Sequence, residues 1–110
     1  MEKSFEERLA ESKKIMKKYP DKIPIIVEKH KTSTLNNIDK NKFLVPKTIT
    51  MGQFIYIIRK RLQLNGETAL FITINNQLMT SSKLIVNVYD DHHEKDGFLH
   101  VVYTNENTFG

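Results

Sequence analysis

The stretch from Thr50 to Leu62 constrains the fold most, because it predicts one amphipathic helix between two pairs of short strands. Gln53 follows Thr50 by three residues, which is the spacing of a capping box at a helix start. Cations at 59–61 suit the negative end of the helix dipole in the last turn. Apolar residues recur at intervals of three and four and mark the face that we expect to be buried: Met51, Phe54, Ile57, Ile58 and Leu62.

Two strands are predicted before this helix. Ile23–Glu28 is rich in β-branched residues, and Pro24 indicates that its first residues lie at an edge or at the start of the strand. A polar stretch from His30 to Asn41 turns the chain. Phe43–Val45 then forms a second short strand, which Pro46 ends.

Three more strands are predicted after the helix. Leu70–Ile74 is followed by Asn75–Asn76, a tight turn whose residues tolerate positive φ, and Leu78–Met79 is the return. Asp96–Gly97 leads into the last strand, Phe98–Tyr103.

Two further helices complete the pattern. Ser4 and Glu7 form a capping box before an amphipathic N-terminal arm that ends at Tyr19–Pro20, with Phe5, Leu9, Ser12, Ile15, Met16 and Tyr19 recurring at helical spacing. A short helix is expected from Ser81 or Ser82 to Tyr89, with Leu84, Ile85 and Val88 facing inward.

This order predicts an α+β fold, the ubiquitin-like β-grasp, with a mixed four-stranded sheet, a crossover helix and an added N-terminal helical arm. We expect one structural unit made of the arm at 1–20 and a ubiquitin-like domain at 21–110, whose C-terminal tail spans 104–110.

Composition narrows the class of protein. The 110 residues include no cysteine, which excludes disulfides, thiolate nucleophiles and zinc–thiolate sites. No run approaches the roughly 18 apolar residues of a membrane span. We therefore expect a soluble, cytoplasmic monomer that reaches a membrane only through a partner, its surface charge or an attached lipid.

The charged residues are unevenly distributed. Residues 40–66 hold six Lys or Arg and no acid, whereas residues 90–106 hold five acids and one Lys, so the net charge of +4 describes a dipolar molecule. Nucleic acid is not an expected partner, although microtubule or nucleic-acid binding through residues 40–61 stays open.

An enzymatic function has little support in the sequence. The one dense polar cluster, Asp90–Glu94, lacks zinc-ligand spacing and reads better as a hydrated loop at a helix end. His30 and His100 stand alone in the sequence, with no neighbouring nucleophile to activate. We expect no catalytic residues, no metal and no cofactor.

Six motifs in order carry a resemblance that spans nearly the whole chain: FEERLAES at 5–12, YPDKIP at 19–24, KFLVP at 42–46, GQFIYIIRKR at 52–61, DGFL at 96–99 and ENTFG at 106–110. With these motifs the chain resembles the GABARAP-like autophagy modifiers, ubiquitin-like proteins that are joined to phosphatidylethanolamine. The N-terminal arm starts closer to Phe5 than in many of them, and prolines common in relatives are missing at Asn65–Gly66 and Met79–Thr80.

The resemblance implies a conjugation cascade. An activating enzyme would adenylate the carboxyl group of Gly110, a conjugating enzyme would carry it as a thioester, and an amide to the lipid would form. Phe109 would be recognised by the conjugation enzymes and by the cysteine protease of the autophagy system. The conjugated protein would serve an autophagosomal or related intracellular membrane.

The resemblance also implies docking of cargo receptors through an aromatic-x-x-aliphatic peptide that adds to a sheet edge. The aromatic pocket would be formed by Glu11, Ile15, Pro24, Ile26, Leu44 and Phe98. The second pocket and its rim would be formed by Phe43, Val45, Pro46, Ile49, Phe54, Ile57, Ile58 and Arg61. Acids beside the peptide core would be attracted by Lys22, Lys40 and Lys42.

Strand alternation adds a physical test of this arrangement, because Phe43 and Val45 should face one side of the sheet and Leu44 the other. Core and groove use the same apolar residue types, so the sequence leaves their division open. Two alternatives also stay open: a noncovalent peptide-binding adaptor and a microtubule-associated adaptor, neither of them lipidated.

Overall fold

The structure, a computed structural model, describes residues 3–106. Three helices and five strands follow one another in the predicted order: α1 (Phe5–Lys18), β1 (Lys22–Lys29), β2 (Lys42–Pro46), α2 (Met51–Arg61), β3 (Phe71–Ile74), β4 (Gln77–Leu78), α3 (Ile85–His92) and β5 (Leu99–Thr104). None of the helices in this part of the chain is long and apolar enough to cross a membrane.

The strands form one mixed sheet in the order β2-β1-β5-β3-β4. The last strand lies in the centre, parallel to β1 and antiparallel to β3, while the two hairpins β1–β2 and β3–β4 flank it. All five predicted strand segments join the sheet, including the short return, Gln77–Leu78, which pairs with β3 over two residues, so the sheet has five strands rather than the predicted four. This is the predicted ubiquitin-like fold with a helix at its N-terminus.

Both predicted capping boxes are confirmed. Ser4 Oγ accepts from the N–H of Glu7 at the start of α1, and Thr50 Oγ1 accepts from the N–H of Gln53 at the start of α2. The 75–76 turn is confirmed as well, since Asn75 and Asn76 have φ values of 53° and 62°.

The core lies between the sheet and helices α2 and α3. Ile23, Ile25 and Val27 of β1 point into it, and the ring of Phe43 meets that of Phe54 edge-on with centroids 6.1 Å apart. Pairing of β1 with β5 starts only at Ile25, so the strand residues up to Pro24 have β2 alone as their neighbour, as the proline predicts.

The prediction for α3 was wrong in its start and in one inward residue. The helix begins at Ile85, and the side chain of its N-cap, Leu84, is 40% exposed. The carbonyls of Ser81 and Lys83 instead accept from the N–H groups of Gly52 and Met51, at 2.8 Å each. Residues 81–84 therefore stay non-helical because their backbone satisfies the start of α2.

The buried face of α2 is narrower than predicted, because Ile57 is only half-buried, whereas Met51, Phe54 and Ile58 are fully buried. On α1 the one fully buried side chain is that of Ser12. Tyr19 and Met16 keep more than a third of their surface exposed. The contact of the arm with the domain is therefore centred on polar Ser12, with the half-buried side chains of Leu9 and Ile15 beside it.

Candidate functional site

Strand β2 is an edge of the sheet and offers backbone groups to a partner. On its inner side, the carbonyl of Asn41 accepts from the N–H of Val27 in β1 at 2.7 Å, and the N–H of Lys47 donates to the carbonyl of Asp21, just before β1, at 3.1 Å. Because such bonds recur at every second residue of an antiparallel pair, the N–H and C=O groups of Lys42 and Leu44 point outward. Pro46 has no N–H, so this row of outward donors ends there.

The side chains of β2 alternate as predicted. Phe43 and Val45 are buried in the core, whereas Leu44 is 37% exposed on the opposite face of the sheet. A chain added to this edge would therefore meet different surfaces on the two sides of the strand.

The first of these surfaces is a cleft of about 720 Å³ beside the N-terminal arm, lined by Lys3, Arg8, Ile26, Glu28, Asn41, Lys42 and His100. Two of these residues, Ile26 and Lys42, belong to the predicted peptide-binding set. The others form a polar rim from four different elements or their flanks, and no local sequence pattern singles them out.

Glu11 connects the arm to β2 at this cleft. Its Oε1 atom accepts from Lys42 Nζ at 2.6 Å and from Lys3 Nζ at 3.2 Å. Partial burial acts to raise the pKa of the Glu11 carboxyl, but the hydrogen bonds from Lys42 and Lys3 outweigh it, so the pKa is lowered overall. Glu11 therefore keeps its charge near neutral pH and holds Lys42 beside the cleft.

The remaining residues of the predicted aromatic pocket lie on the same side of the sheet but differ in exposure. Pro24, Ile26 and Phe98 are buried, so they form a floor. Ile15 on α1 is half-buried, and Leu44 is the exposed apolar residue of the set.

A second cleft, of about 610 Å³, lies along α2 and the 81 turn. It is lined by Ile49, Thr50, Gly52, Gln53, Tyr56, Ile57 and Ser81. Ile49 and Ile57 come from the predicted second pocket. Tyr56 was missed, although it is the most exposed large apolar side chain of the described part of the chain. It lies outside the set of apolar residues that the helical spacing marked as buried, so no role was predicted for it from the sequence.

The other predicted members of the second pocket divide into floor and rim. Phe43, Val45, Phe54 and Ile58 belong to the buried core beneath the surface, and Pro46 and Arg61 are exposed.

Of the predicted cations, Lys42 lines the first cleft, whereas Arg61, Lys40 and Lys22 line neither cleft. Arg61 Nε donates to Asp39 Oδ1 at 2.9 Å, and Lys40 Nζ lies 5.4 Å from the centroid of the Phe43 ring. Lys22 is half-buried at the start of β1.

The sequence interpretation missed the cluster that attaches the arm to the domain. Asp96 is 2% exposed, and its Oδ2 atom accepts from Arg8 Nε and from His100 Nε2 at 2.8 Å each. Its Oδ1 atom accepts from the N–H of Phe98, and its backbone carbonyl accepts from Ser12 Oγ. His100 was predicted from the sequence to be isolated, but in the structure His100 belongs to this cluster.

The electrostatics of this cluster favour a charged carboxylate. Burial acts to raise the pKa of Asp96, but hydrogen bonds from the Phe98 N–H, Arg8 and His100 outweigh it and lower the pKa overall. The i, i+4 spacing of Asp96 and His100 was the only local signal, and the partner on α1 lies 88 positions from Asp96.

The other histidines do not converge. His92 Nδ1 lies 3.3 Å from Asn75 Nδ2, and the ring of His93 stacks on Tyr89 with centroids 4.7 Å apart. Within residues 3–106, no three His, Asp or Glu side chains are grouped so as to hold a metal ion.

The predicted conjugation residues Phe109 and Gly110 lie outside the described residues. The described chain reaches Glu106, two residues beyond the end of β5. Its last described side chains contact the loop between β1 and β2 through Asn105.

Comparisons with known proteins agree with this architecture. The family model described as autophagy protein Atg8, ubiquitin-like, matches residues 7–110. Autophagy-related protein 8e of Arabidopsis thaliana is 51% identical over 110 residues, covering 100% of this chain and 90% of that protein. Autophagy-related protein 8 of Mycosarcoma maydis is 49% identical over 109 residues, covering 99% and 92%. The crystal structure of Trypanosoma brucei ATG8 superposes with a TM-score of 0.91 at 41% identity, covering 100% of this chain and 95% of that one.

Proposed function

The chain belongs to the Atg8 family of autophagy ubiquitin-like proteins, and from that premise we propose that it is a modifier conjugated to phosphatidylethanolamine through Gly110. In this role it acts as a membrane-bound adaptor in autophagosome formation and in selective recruitment of cargo. It is not itself an enzyme, and it needs no cofactor.

The chemistry uses the carboxyl group of Gly110. Its carboxylate attacks the α-phosphate of ATP on an activating enzyme and releases pyrophosphate. A cysteine thiol of that enzyme displaces AMP to form a thioester, which passes by exchange to the conjugating enzyme. The lipid amine then attacks the thioester carbonyl, an amide bond forms and the thiolate leaves. Glycine suits the last residue because the absence of a Cβ leaves the carbonyl carbon accessible.

Phe109 is the side chain that we propose the autophagy cysteine protease and the conjugation enzymes recognise. The attached lipid supplies membrane affinity, at about 0.8 kcal/mol per buried CH₂ group. A cytoplasmic form and a form on autophagosomal or related membranes follow from this reaction. We also infer that the arm at 1–20 and the domain at 21–110 act as one unit, which the contacts of Asp96 with Arg8 and Ser12 support.

The observation that carries the adaptor function is the open edge of β2, whose first residue, Lys42, lines the cleft beside α1 and whose end at Pro46 comes three residues before Ile49 of the second cleft. The outward N–H and C=O groups of Lys42 and Leu44 suit main-chain pairing with an extended peptide. The aromatic residue of such a peptide would occupy the cleft beside α1, over Ile26 and Leu44. Its aliphatic residue would occupy the cleft beside Ile49 and Ile57, and acids before the core would meet the surrounding lysines.

Lipidation is tested by mass spectrometry of the C-terminal peptide from the membrane and soluble fractions of the native cell. Phosphatidylethanolamine on Gly110 in the membrane fraction is the expected result. The variant Gly110→Ala should lose membrane attachment while binding peptide as before. A free carboxylate in every fraction, including starved cells, would refute conjugation and favour the noncovalent adaptor.

Peptide docking is tested with a matched pair of substitutions in β2. Leu44→Arg should reduce the affinity for an aromatic-x-x-aliphatic peptide at least tenfold in calorimetry, with little change in stability, because Leu44 is exposed. Val45→Ala, by contrast, should lower the free energy of unfolding by about 1–3 kcal/mol, because it leaves a cavity at a buried position. Equal peptide affinity of Leu44→Arg and wild type would refute docking on this edge.

A further inference from the structure

The loop between β1 and β2 is tied to the end of β5. Tyr103, which is fully buried, accepts from the N–H of Ile38 at 2.9 Å through its hydroxyl and donates to the carbonyl of Asn36 at 2.7 Å. The N–H of His30 donates to the carbonyl of Tyr103 at 2.8 Å. The loop therefore has a defined conformation where the C-terminal segment leaves the sheet.

Asn105 extends this connection beyond the sheet. Its Oδ1 atom accepts from Ser33 Oγ and from the N–H of Thr34, both at 3.2 Å, and its Nδ2 atom donates to Thr34 Oγ1 at 2.6 Å. Three of the four hydrogen bonds that an amide side chain can make are thus used on two adjacent loop residues. Ser33 is itself buried, so this contact forms part of the folded domain.

Backbone pairing ends just before this point. The register of β5 with β1 runs to Tyr103, and that with β3 runs to Thr104. Within residues 3–106, the Asn105 side chain thus makes the last hydrogen bonds to a distant part of the chain, followed only by the local bond from the Glu106 N–H to Thr104 Oγ1. The hydrogen bonds of the Asn105 amide therefore extend the connection with the domain one residue beyond the sheet.

We propose that Asn105, held by Ser33 and Thr34, is a positioning residue for conjugation: it fixes the origin and direction from which the C-terminal segment enters the enzyme sites. This inference rests on the proposed function of Gly110. From Asn105 to Gly110 there are five residues, which reach at most about 17 Å when fully extended. An enzyme docked on the folded domain must therefore hold its reacting group within that distance of Asn105.

Loss of the Asn105 contact would move the origin back to Thr104 or Tyr103. The segment would gain roughly 3–7 Å of reach but would also regain the conformational freedom of one or two residues. Because that freedom must be lost again in each productive encounter, we expect thioester formation to slow about five- to tenfold. Docking of the domain on the enzyme should be unchanged, so the effect belongs in kcat rather than in KM.

The test compares Asn105→Leu, which keeps the size of the side chain without its hydrogen bonds, with Asn105→Asp, whose carboxylate can accept from the same Ser33 and Thr34 groups. Glu106→Ala is the matched control one residue further on. Amide hydrogen exchange reports whether the contact is lost. Asn105→Leu should expose the N–H of Thr34, while the N–H of Ile38, bonded to Tyr103, stays protected as an internal reference.

Single-turnover thioester formation with the activating and conjugating enzymes of the same cell then measures the consequence. The expected result is a slower Asn105→Leu protein with an unchanged KM, near-normal rates for Asn105→Asp, and a wild-type rate for Glu106→Ala. A wild-type rate for Asn105→Leu despite an exposed Thr34 amide would overturn the inference alone. If the wild-type chain is not conjugated at all, the proposed function fails together with it.

Discussion

Replacing Asp96 tests how the arm is held on the domain. In Asp96→Ala, the buried N–H of Phe98 loses its acceptor, which costs about 1–3 kcal/mol. Arg8 and His100 also lose their shared partner, but their side chains are 29% and 28% exposed and can turn to water. We therefore expect a total loss near 3 kcal/mol of unfolding free energy, most of it from the buried donor and the rest from the charged hydrogen bonds.

This loss converts to a temperature shift. At about 2.1 cal/mol/K per residue, a chain of this length has an unfolding entropy near 0.23 kcal/mol/K, so each kcal/mol shifts Tm by about 4 °C. Asp96→Ala should lower Tm by about 13 °C in thermal unfolding followed by circular dichroism at pH 7. Asp96→Asn keeps an acceptor for Phe98 and should lower Tm by only about 5 °C.

The effect should depend on pH with a defined sign. The pKa of Asp96 is lower in the folded protein than its ordinary value of about 3.9. Its carboxylate therefore contributes fully above that pH, and the contribution is lost as pH falls through the folded-state pKa. The gap between wild type and Asp96→Asn should narrow below about pH 4. Equal Tm values for the Ala and Asn variants, or a loss under about 1 kcal/mol in Asp96→Ala, would refute this account of the cluster.

Two further predictions concern local geometry. Gly97 has φ of 86°, and a Cβ there would come within 2.9 Å of Ser12 Cβ, so Gly97→Ala should lose at least about 1–2 kcal/mol in urea unfolding. Gly66 has open space around it and no positive φ, so Gly66→Ala is the control and should be neutral or slightly stabilising; similar losses in both variants would contradict this explanation. Thr50→Ala removes the capping box of α2 and should cost about 1 kcal/mol, whereas exposed Thr48→Ala should be silent. A Thr50→Ala protein as stable as wild type would show that the carbonyls of Ser81 and Lys83 suffice to cap the helix.

The predictions that succeeded depend on neighbours in sequence. The capping boxes at Ser4 and Thr50 join residues three apart, and the alternation of Phe43, Leu44 and Val45 needs only the period of a strand. The positive φ values of Asn75 and Asn76 follow from the tolerance of asparagine for that region. The motifs along the chain identified the family, because six of them in the same order are specific for it, whereas each motif alone is not.

The misses share a different cause. Leu84 has the spacing of an inward helical residue, yet the backbone around it bonds to α2 and keeps the segment non-helical. Tyr56 was given no role by the helical spacing, yet it lines a cleft because residue 81 lies beside α2. Core and groove also use the same residue types, so only the packed structure separates buried Phe54 from half-buried Ile57.

By itself, the sequence determined the order of helices and strands, their caps and turns, and the family, because these depend on short-range periodicity and on motifs read along the chain. Only the tertiary structure decided that β5 lies between β1 and β3, that Asp96 binds Arg8 of the arm, and that Asn105 binds Ser33 and Thr34. The contacts of Asp96 and Asn105 join residues about 70 to 90 positions apart. Their partners are selected by the geometry of the folded sheet, which no local pattern encodes.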